Sequence, residues 1–313
     1  MNRKVCVVGN LNIDLILMSL KTLPEWGTEA LVEDLNIRTA GQVGYLALAL
    51  SKLGINTSVI ANVGKDHFGR EILSQLEKEE VNCGGIDIVK THPTGVTVAV
   101  VNKSGERVLI SYPGSMEILG ESLVIEHWNL VRETNILFLC GYFLLPNLSF
   151  AGTEKILTRA KKEGKMTFLD TGWDPENWTN EKKKEIRELL KQVDAFLPNR
   201  EEATVLTGKD SPEEMIKELY SWGPSHIIIK LGENGSFAKT KEGLFYGPSF
   251  HTKIFDTTGA GDVFNVGVIY GLFRNWKMVR TLKFANTLSS IFISRKNDKY
   301  PTVDEVQSRM GSD

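Results

Sequence analysis

The sequence predicts an α/β fold built on a mostly parallel, doubly wound sheet, with a small β-sheet added as a lid. Three observations carry this expectation. Short runs of Val, Ile, Leu and Phe recur at residues 5–8, 58–61, 136–140, 167–169, 195–197 and 227–229. Most are separated by segments of helical character, the pattern of parallel strands joined by crossover helices. Two stretches, residues 15–38 and 94–112, break that alternation with extended, partly alternating sequence and turn residues such as Ser104-Gly105.

The run at 5–8 is a core strand and not a secretion signal, because Asn10, Asn12 and Asp14 interrupt it and no small-residue cleavage pattern follows. A helix over 45–53, stopped by Gly54, leads to the strand at 58–61, and a second helix covers 68–80. Further helices are expected over 152–163, 181–192 and 212–222, the last with Ser211 as N-cap, and the apolar run 263–270 is a largely buried helix. The two interrupting stretches lie far apart in sequence, which a lid inserted into the main domain explains better than a terminal domain. The expected division is a core of residues 1–14, 39–93 and 113–313 and a lid of residues 15–38 and 94–112.

Composition excludes several functions. With 313 residues and 42% hydrophobic content the chain can bury a substantial core and is not a disordered polymer. Lys and Arg total 37 against 39 Asp and Glu, a net charge of −2 with no global field for a polyanion, so nucleic acid is not an expected partner. No apolar run approaches the ~20 residues a membrane span requires. Cys6, Cys83 and Cys140 are odd in number and widely spaced, which fits reduced thiols in a cytoplasmic compartment better than disulfides or zinc. The histidines show no helical metal-ligand spacing, and there is no Gly-x-Ser-x-Gly elbow, no Gly-x-x-x-x-Gly-Lys-Ser/Thr loop and no Gly-x-Gly-x-x-Gly fingerprint at Gly9.

Open α/β sheets bind ligands beyond the carboxyl ends of their strands, and polar residues and glycines cluster there. Gly9, Asn10, Asn12 and Asp14 follow the first strand; Asn62, Gly64 and Asp66, then Asp170, Asn199 with Glu202, and Gly232 follow later ones. Singly, each also reads as an ordinary turn residue. The segment Asp256-Thr257-Thr258-Gly259-Ala260-Gly261-Asp262 is more specific. Its small residues precede an apolar helix, where exposed N–H groups and the helix dipole favour an anion such as phosphate. A carboxylate opposes such an anion, so Asp262 makes sense there as a base taking the proton of a hydroxyl that attacks the phosphate; a plain helix cap is the alternative. Lys230-Leu231-Gly232-Glu233-Asn234-Gly235 would admit a nucleotide close to the backbone, or form a simple glycine hairpin. Asn199 and Glu202 begin a helix where a carboxylate can hold magnesium through water, or serve the dipole alone. Trp173 and Trp178 flank a loop at the site edge, with packing as their default role.

At DTTGAGD the sequence resembles the ribokinase-like, or PfkB, family of carbohydrate kinases. The likeness runs in order through Gly9–Asp14, Ala40–Gly54, Asn62–Gly69, Thr94–Ile110, PNREEATVLTG, KLGENGS and DTTGAGDVF. The resemblance implies a three-layer α/β/α core and ATP-dependent phosphorylation of a sugar-like alcohol. It implies Asp262 as general base, with the amides from Gly259 through Ala260 and Gly261 to Asp262 forming the anion hole for the transferring phosphoryl group. By the same analogy Asn12, Asp14, Gly41 and Gln42 contact substrate, Asn199 and Glu202 organise Mg-ATP, and Lys230, Gly232, Gly235 and Asn286 line the nucleotide site. A monovalent cation such as K+ often sits beside the anion hole of these kinases, and Asp256 and Thr258 occupy the matching positions. The later loop, residues 294–299, lacks the usual glycine.

Two departures bear on substrate. The segment after Gly41 brings Tyr45 where relatives carry a sugar-binding Asn, and Gly141-Tyr142-Phe143 stands where ribose-specific relatives carry a carboxylate. These imply a pocket with more aromatic wall, suited to another hexose, a sugar acid, a polyol or a nucleoside. A nucleoside kinase of the same fold and a non-catalytic sugar sensor that signals by lid closure are the alternatives. Exposed lid edges, and relatives that pair through them, imply a homodimer.

Overall fold

The computed structural model of the chain describes residues 3–102, 107–296 and 300–311. The Ser104-Gly105 turn and residues 297–299 of the later loop lie outside them. The strands are β1 (Lys4–Gly9), β2 (Asn12–Leu20), β3 (Asp34–Ala40), β4 (Asn56–Gly64), β5 (Asn82–Val89), β6 (Gly95–Asn102), β7 (Arg107–Tyr112), β8 (Ile136–Cys140), β9 (Met166–Asp170), β10 (Ala195–Phe196), β11 (His226–Lys230), β12 (Ser236–Thr240) and β13 (Gly243–Gly247).

Nine of these form one sheet in the order β13-β12-β11-β10-β9-β8-β1-β4-β5. From β11 to β5 every pairing is parallel, and β12 and β13 add an antiparallel edge. The apolar runs are continuous because both faces are covered. Val5 and Val7 join one buried cluster, with Leu46, Ile72, Val263 and Leu282 from the helices Gly41–Lys52, His67–Lys78, Ala260–Phe273 and Met278–Ile293. Cys6 and Val8 join the other, with Ile156, Ile186, Ala203 and Met215 from the helices Phe150–Lys162, Asn180–Leu189, Arg200–Thr207 and Pro212–Ser221. Alternate residues of one strand thus feed two cores, and the three-layer α/β/α expectation holds.

The four remaining strands form a second sheet, β3-β2-β6-β7, with β2 and β6 parallel and the outer pairings antiparallel. Ile16, Met18, Ala99 and Val101 make a small core on its inner side. Its outer side carries two apolar rows across all four strands, Leu35-Leu17-Val100-Val108 and Ile37-Leu15-Val98-Ile110.

Several boundaries differ from the expectation. The second sheet reaches back to Asn12 and on to Ala40, because only Asn10 and Leu11 separate β1 from β2 and the chain passes straight from one sheet into the other. The helix expected from residue 45 begins at Gly41, whose φ of +69° lets the chain turn out of β3 against the Asn10 carbonyl. The helix expected to reach 192 ends at Leu189 and closes with a 3-10 turn. Strand β5 and the β12–β13 hairpin were not foreseen, and Lys230-to-Gly235 folds as the glycine turn joining antiparallel β11 and β12. Ser211 caps its helix by accepting from Glu214 N. All three cysteines are free; Cys6 and Cys140 are buried and Cys83 is partly so. Among the described residues no helix is long and apolar enough to cross a membrane.

Candidate active site

The strand order reverses direction between β1 and β8, and in open α/β sheets ligands bind in the crevice outside the carboxyl ends of the strands at such a point. The loops here are close-packed: a Cβ on Gly141 would lie 2.0 Å from Asn10 Oδ1. Asp262 enters this crevice from the first turn of the helix Ala260–Phe273. Gly259 is the N-cap of that helix at φ +77°, and a Cβ there would come within 2.5 Å of the Tyr45 ring, so glycine is required on both counts. Ala260 N–H donates to Thr257 O at 3.1 Å, closing the turn. The amides of Gly261 and Asp262 face no backbone acceptor among the described residues, the condition under which a helix N-terminus receives an anion.

Asp262 is half-buried, and its Oδ1 accepts a hydrogen bond from Gln42 Nε2 at 3.2 Å. Burial and the negative charge of Asp170 push its carboxyl well above the usual carboxylate range, against the opposing pull of Lys230 and Gln42. Beneath it lies an ionic group centred on Asp170. Asp170, at the end of β9, accepts from Lys230 Nζ at 2.6 Å and Asn265 Nδ2 at 2.7 Å on one oxygen and from Gly172 N at 3.1 Å on the other. Burial alone would raise the Asp170 carboxyl, but the Lys230 charge and these hydrogen bonds hold it below its ordinary range. Burial likewise disfavours the Lys230 ammonium, and Asp170, Glu202 and Asp262 outweigh that to raise it. Lys230 Nζ sits 3.5 Å from where a Gly261 Cβ would be, alongside the helix N-terminus.

A polar row crosses the inner face of the second sheet opposite this group. Arg38, Asp14, Thr97 and Ser111 are register neighbours on β3, β2, β6 and β7. Asn12 Nδ2 donates to Asp14 Oδ1 at 2.9 Å and to Thr97 Oγ1 at 3.2 Å, and Thr97 and Ser111 hydroxyls lie 3.0 Å apart. Tyr45, from the helix Gly41–Lys52, donates its hydroxyl to Asp14 Oδ2 at 2.8 Å while its ring supports Gly259. Burial lifts the Asp14 carboxyl to about 6, although Tyr45, Asn12 and Arg38 all pull the other way.

The remaining expected residues fall around this centre. Asn199 and Glu202 form a capping box: Glu202 N donates to Asn199 Oδ1 and Asn199 N to Glu202 Oε2, both at 2.8 Å. Glu202 is buried, and burial with the Asp170 charge raises it to about 7. Asn286 spends its amide on Ser236 Oγ and Gly247 O, tying the β12–β13 hairpin to its helix. Gly232 faces open space, whereas Gly235 packs against Gly247 O. Asp256 and Thr258 are buried together, Thr258 donating N–H and hydroxyl to Asp256 Oδ1 at 2.9 and 2.7 Å. Asp66 serves structure: it caps the helix His67–Lys78 and fixes Thr94. Trp178 is buried in an edge-on cluster with Phe143 and Trp173, while Trp173 itself is half exposed beside Gly172.

Among the described residues no group of three or more His, Cys, Asp or Glu could hold a metal ion. A family model described as pfkB family carbohydrate kinase matches residues 2–305. The chain belongs to the pfkB family of carbohydrate kinases. It is 27% identical over 282 residues to the 5-dehydro-2-deoxygluconokinase of Halalkalibacterium halodurans, covering 87% of this chain and 85% of that one. The ribokinase of Arabidopsis thaliana, solved with ribose and ATP, superposes with a TM-score of 0.81 at 22% identity over 100% of both chains. An Escherichia coli structure in complex with ATP and Mg2+ gives 0.83 at 22% identity over 98% of both.

The pfkB family match makes the protein a sugar kinase, a phosphotransferase with an alcohol acceptor. Within its site the sequence named both partners of the Gln42–Asp262 and Tyr45–Asp14 contacts. It did not single out Arg38, Thr97, Ser111 or Asn265, which carry no motif: the first three become visible only when the strand register aligns them, and Asn265 only when its helix sets it against Asp170. Asp170 was seen as a strand-end polar residue, but nothing local disclosed its pairing with Lys230, 60 residues away.

Proposed function

We propose that the chain transfers the γ-phosphoryl group of ATP to a hydroxyl of a small sugar or sugar acid, with Asp262 as general base. The observation that carries this reading is the place of Asp262: in the first turn of a glycine-opened helix, half-buried, oriented by Gln42, with a carboxyl raised toward the working range of a base. The sugar hydroxyl would lie between Asp262 and the polar row of Asn12 and Asp14, with Gly41 and Gln42 forming the floor and Tyr45 fixing Asp14.

The helix N-terminus suits a nucleotide, since the Gly261 and Asp262 amides point where phosphoryl oxygens would lie and Lys230 stands beside them. Lys230 and Gly232 would line the nucleotide. Asn199, Gly235 and Asn286 would shape its wall, because their polar groups or backbones are engaged within the protein. Bound Mg-ATP supplies the phosphoryl group and offsets its charge; Glu202 would reach the metal only through water. Asp262 takes the hydroxyl proton as the oxygen attacks, and the two amides receive the charge that develops on the phosphoryl oxygens. Folding of the second sheet over the site as a lid would exclude water. The curated relative named above acts, by its name, on 5-dehydro-2-deoxygluconate, so a six-carbon keto sugar acid heads the list of substrates.

The same reading includes a homodimer through the second sheet. Its outer rows expose Leu35 (51%), Ile37 (52%), Val108 (45%) and Ile110 (61%) on one face, apolar surface that a second copy would cover. Analytical ultracentrifugation at assay concentration tests this, and a monomer rejects it.

The deciding experiment is Mg-dependent ADP release across ketoses, aldoses, sugar acids including 5-dehydro-2-deoxygluconate, polyols and nucleosides. One substrate with high kcat/KM is expected. ATP binding with no phosphorylated product from any of them would overturn the reading.

A further inference from the structure

The resemblance to PfkB kinases implies a monovalent cation at Asp256 and Thr258, and the residues present do not fit one. Asp256 is 3% exposed, and a buried carboxylate must be paired. Its Oδ1 accepts both donors of Thr258, at 2.9 and 2.7 Å. Its Oδ2 accepts from Arg38 Nη1 at 2.6 Å, and Arg38 is itself 7% exposed. Both oxygens are therefore engaged within the protein. A second cation at Oδ2 would have to sit against a guanidinium of the same sign in a buried site, where repulsion is poorly screened.

We propose that the Arg38 guanidinium is the built-in counter-cation of the anion-hole loop, so that this kinase needs no potassium or other monovalent cation. Arg38 is a positioning residue: it touches no reacting atom but holds Asp256, whose bonds to Thr258 set the turn that leads to Gly259. Unlike an ion, an arginine also ties two parts of the chain together. Arg38 lies on β3 of the second sheet, 218 residues from Asp256, and Arg107 on β7 of the same sheet donates to Thr257 in the same loop. The loop is thus gripped by two arginines from the sheet that faces it.

The inference rests on the kinase reading for its consequence, but part of its test does not need catalysis. Unfolding of the nucleotide-free protein is followed in 0.1 M (about that ionic strength) KCl and in matched tetramethylammonium chloride. Melting temperatures within about 1 °C are expected, and a K+-specific rise of more than about 3 °C would overturn the proposal. Turnover with the identified substrate is then compared in the two salts. A ratio below about threefold supports the proposal, and a saturable K+ activation beyond that rejects it. Arg38→Met is expected to lose about tenfold or more in kcat without K+ and to recover part of it in KCl, with Arg38→Lys in between. An Arg38→Met enzyme as active as the parent without K+ would also reject it. If the parent binds ATP but phosphorylates nothing, the kinase reading fails while the melting comparison still decides the cation question.

Discussion

Gln42 Nε2 donates to Asp262 Oδ1 at 3.2 Å, joining the first turn of one helix to the first turn of another across the crevice. The bond engages one carboxylate oxygen and leaves the second, the one that in the proposed role would take the proton of a substrate hydroxyl. Asp262→Asn preserves the shape and the Gln42 neighbour but removes the base. Turnover should fall by roughly 10²–10⁴-fold while ATP affinity, measured by calorimetry, changes little. Unchanged kcat would remove Asp262 from the role.

The ring of Tyr45 fills the space beneath Gly259. Gly259→Ala would force a Cβ to within 2.5 Å of that ring at a φ of +77°, so the turn must shift and carry the Gly261 and Asp262 amides with it. Loss of one oxyanion donor costs roughly 10²–10³-fold, and a kcat loss of that order is expected with a stability loss of about 1–3 kcal/mol. Steady-state kinetics and urea unfolding on the same sample check both; a fully active Gly259→Ala enzyme would mean that the loop is not held as described.

Much of this arrangement was legible in the sequence, and the reason is physical. Val5–Val8 and Ile136–Cys140 had to be buried strands because both of their faces are apolar, and Gly259 to Asp262 marked the glycine-opened start of a buried helix, the arrangement in which an anion site is proposed. The hidden part is long-range pairing. Arg38 in an Asn-Ile-Arg-Thr strand and Thr97 in a Val-Thr-Val strand read as surface positions of a half-buried sheet. Register alone sets Arg38 beside Asp14 and Asp14 beside Thr97. For Glu202 and Asn199 the pattern fits a capping box as well as a water-mediated metal site, and the structure shows the capping bonds.

The carboxyl of Asp14 illustrates what the site costs in stability. Its folded value, about 6, lies above the ordinary 3.8, so the folded protein binds more protons than the unfolded chain between those values. Its contribution is therefore fully present below about pH 4 and lost as pH rises through about 6, an effect on the order of 3 kcal/mol. Asp14→Asn should stabilise the protein against urea at pH 7 by about 1–3 kcal/mol, do little at pH 4, and raise the sugar KM. A variant less stable at pH 7 than the parent would contradict this account of the Asp14 environment.

The pH dependence of the reaction should show the same environment from the side of the base. As the proposed base, Asp262 would have to be ionised to accept a proton, and it is held above the usual carboxylate range, so kcat/KM should fall as pH drops, starting well before the pH at which an exposed Asp would titrate. A profile flat down to pH ~4.5 would show that no raised carboxyl controls the free enzyme.

The Asp170–Lys230 pair allows the last prediction to separate electrostatics from packing. Asp170 raises Asp262 through its charge and restrains Lys230 at 2.6 Å. Asp170→Asn keeps the volume and can still accept from Lys230 and Gly172, but it removes the negative charge. Two consequences follow with opposite signs. Lys230 loses its buried counter-charge, and breaking such a pair costs about 3–5 kcal/mol of stability, visible as a lower urea midpoint. Asp262 loses the repulsion that raised it and now faces Lys230 alone, so its proton leaves at lower pH and the acid limb of kcat/KM moves down. A structural lesion would reduce activity at every pH without moving the limb, whereas loss of the Asp170 charge moves it. An acid limb that stays in place while stability falls would mean that Asp170 serves only to anchor Lys230.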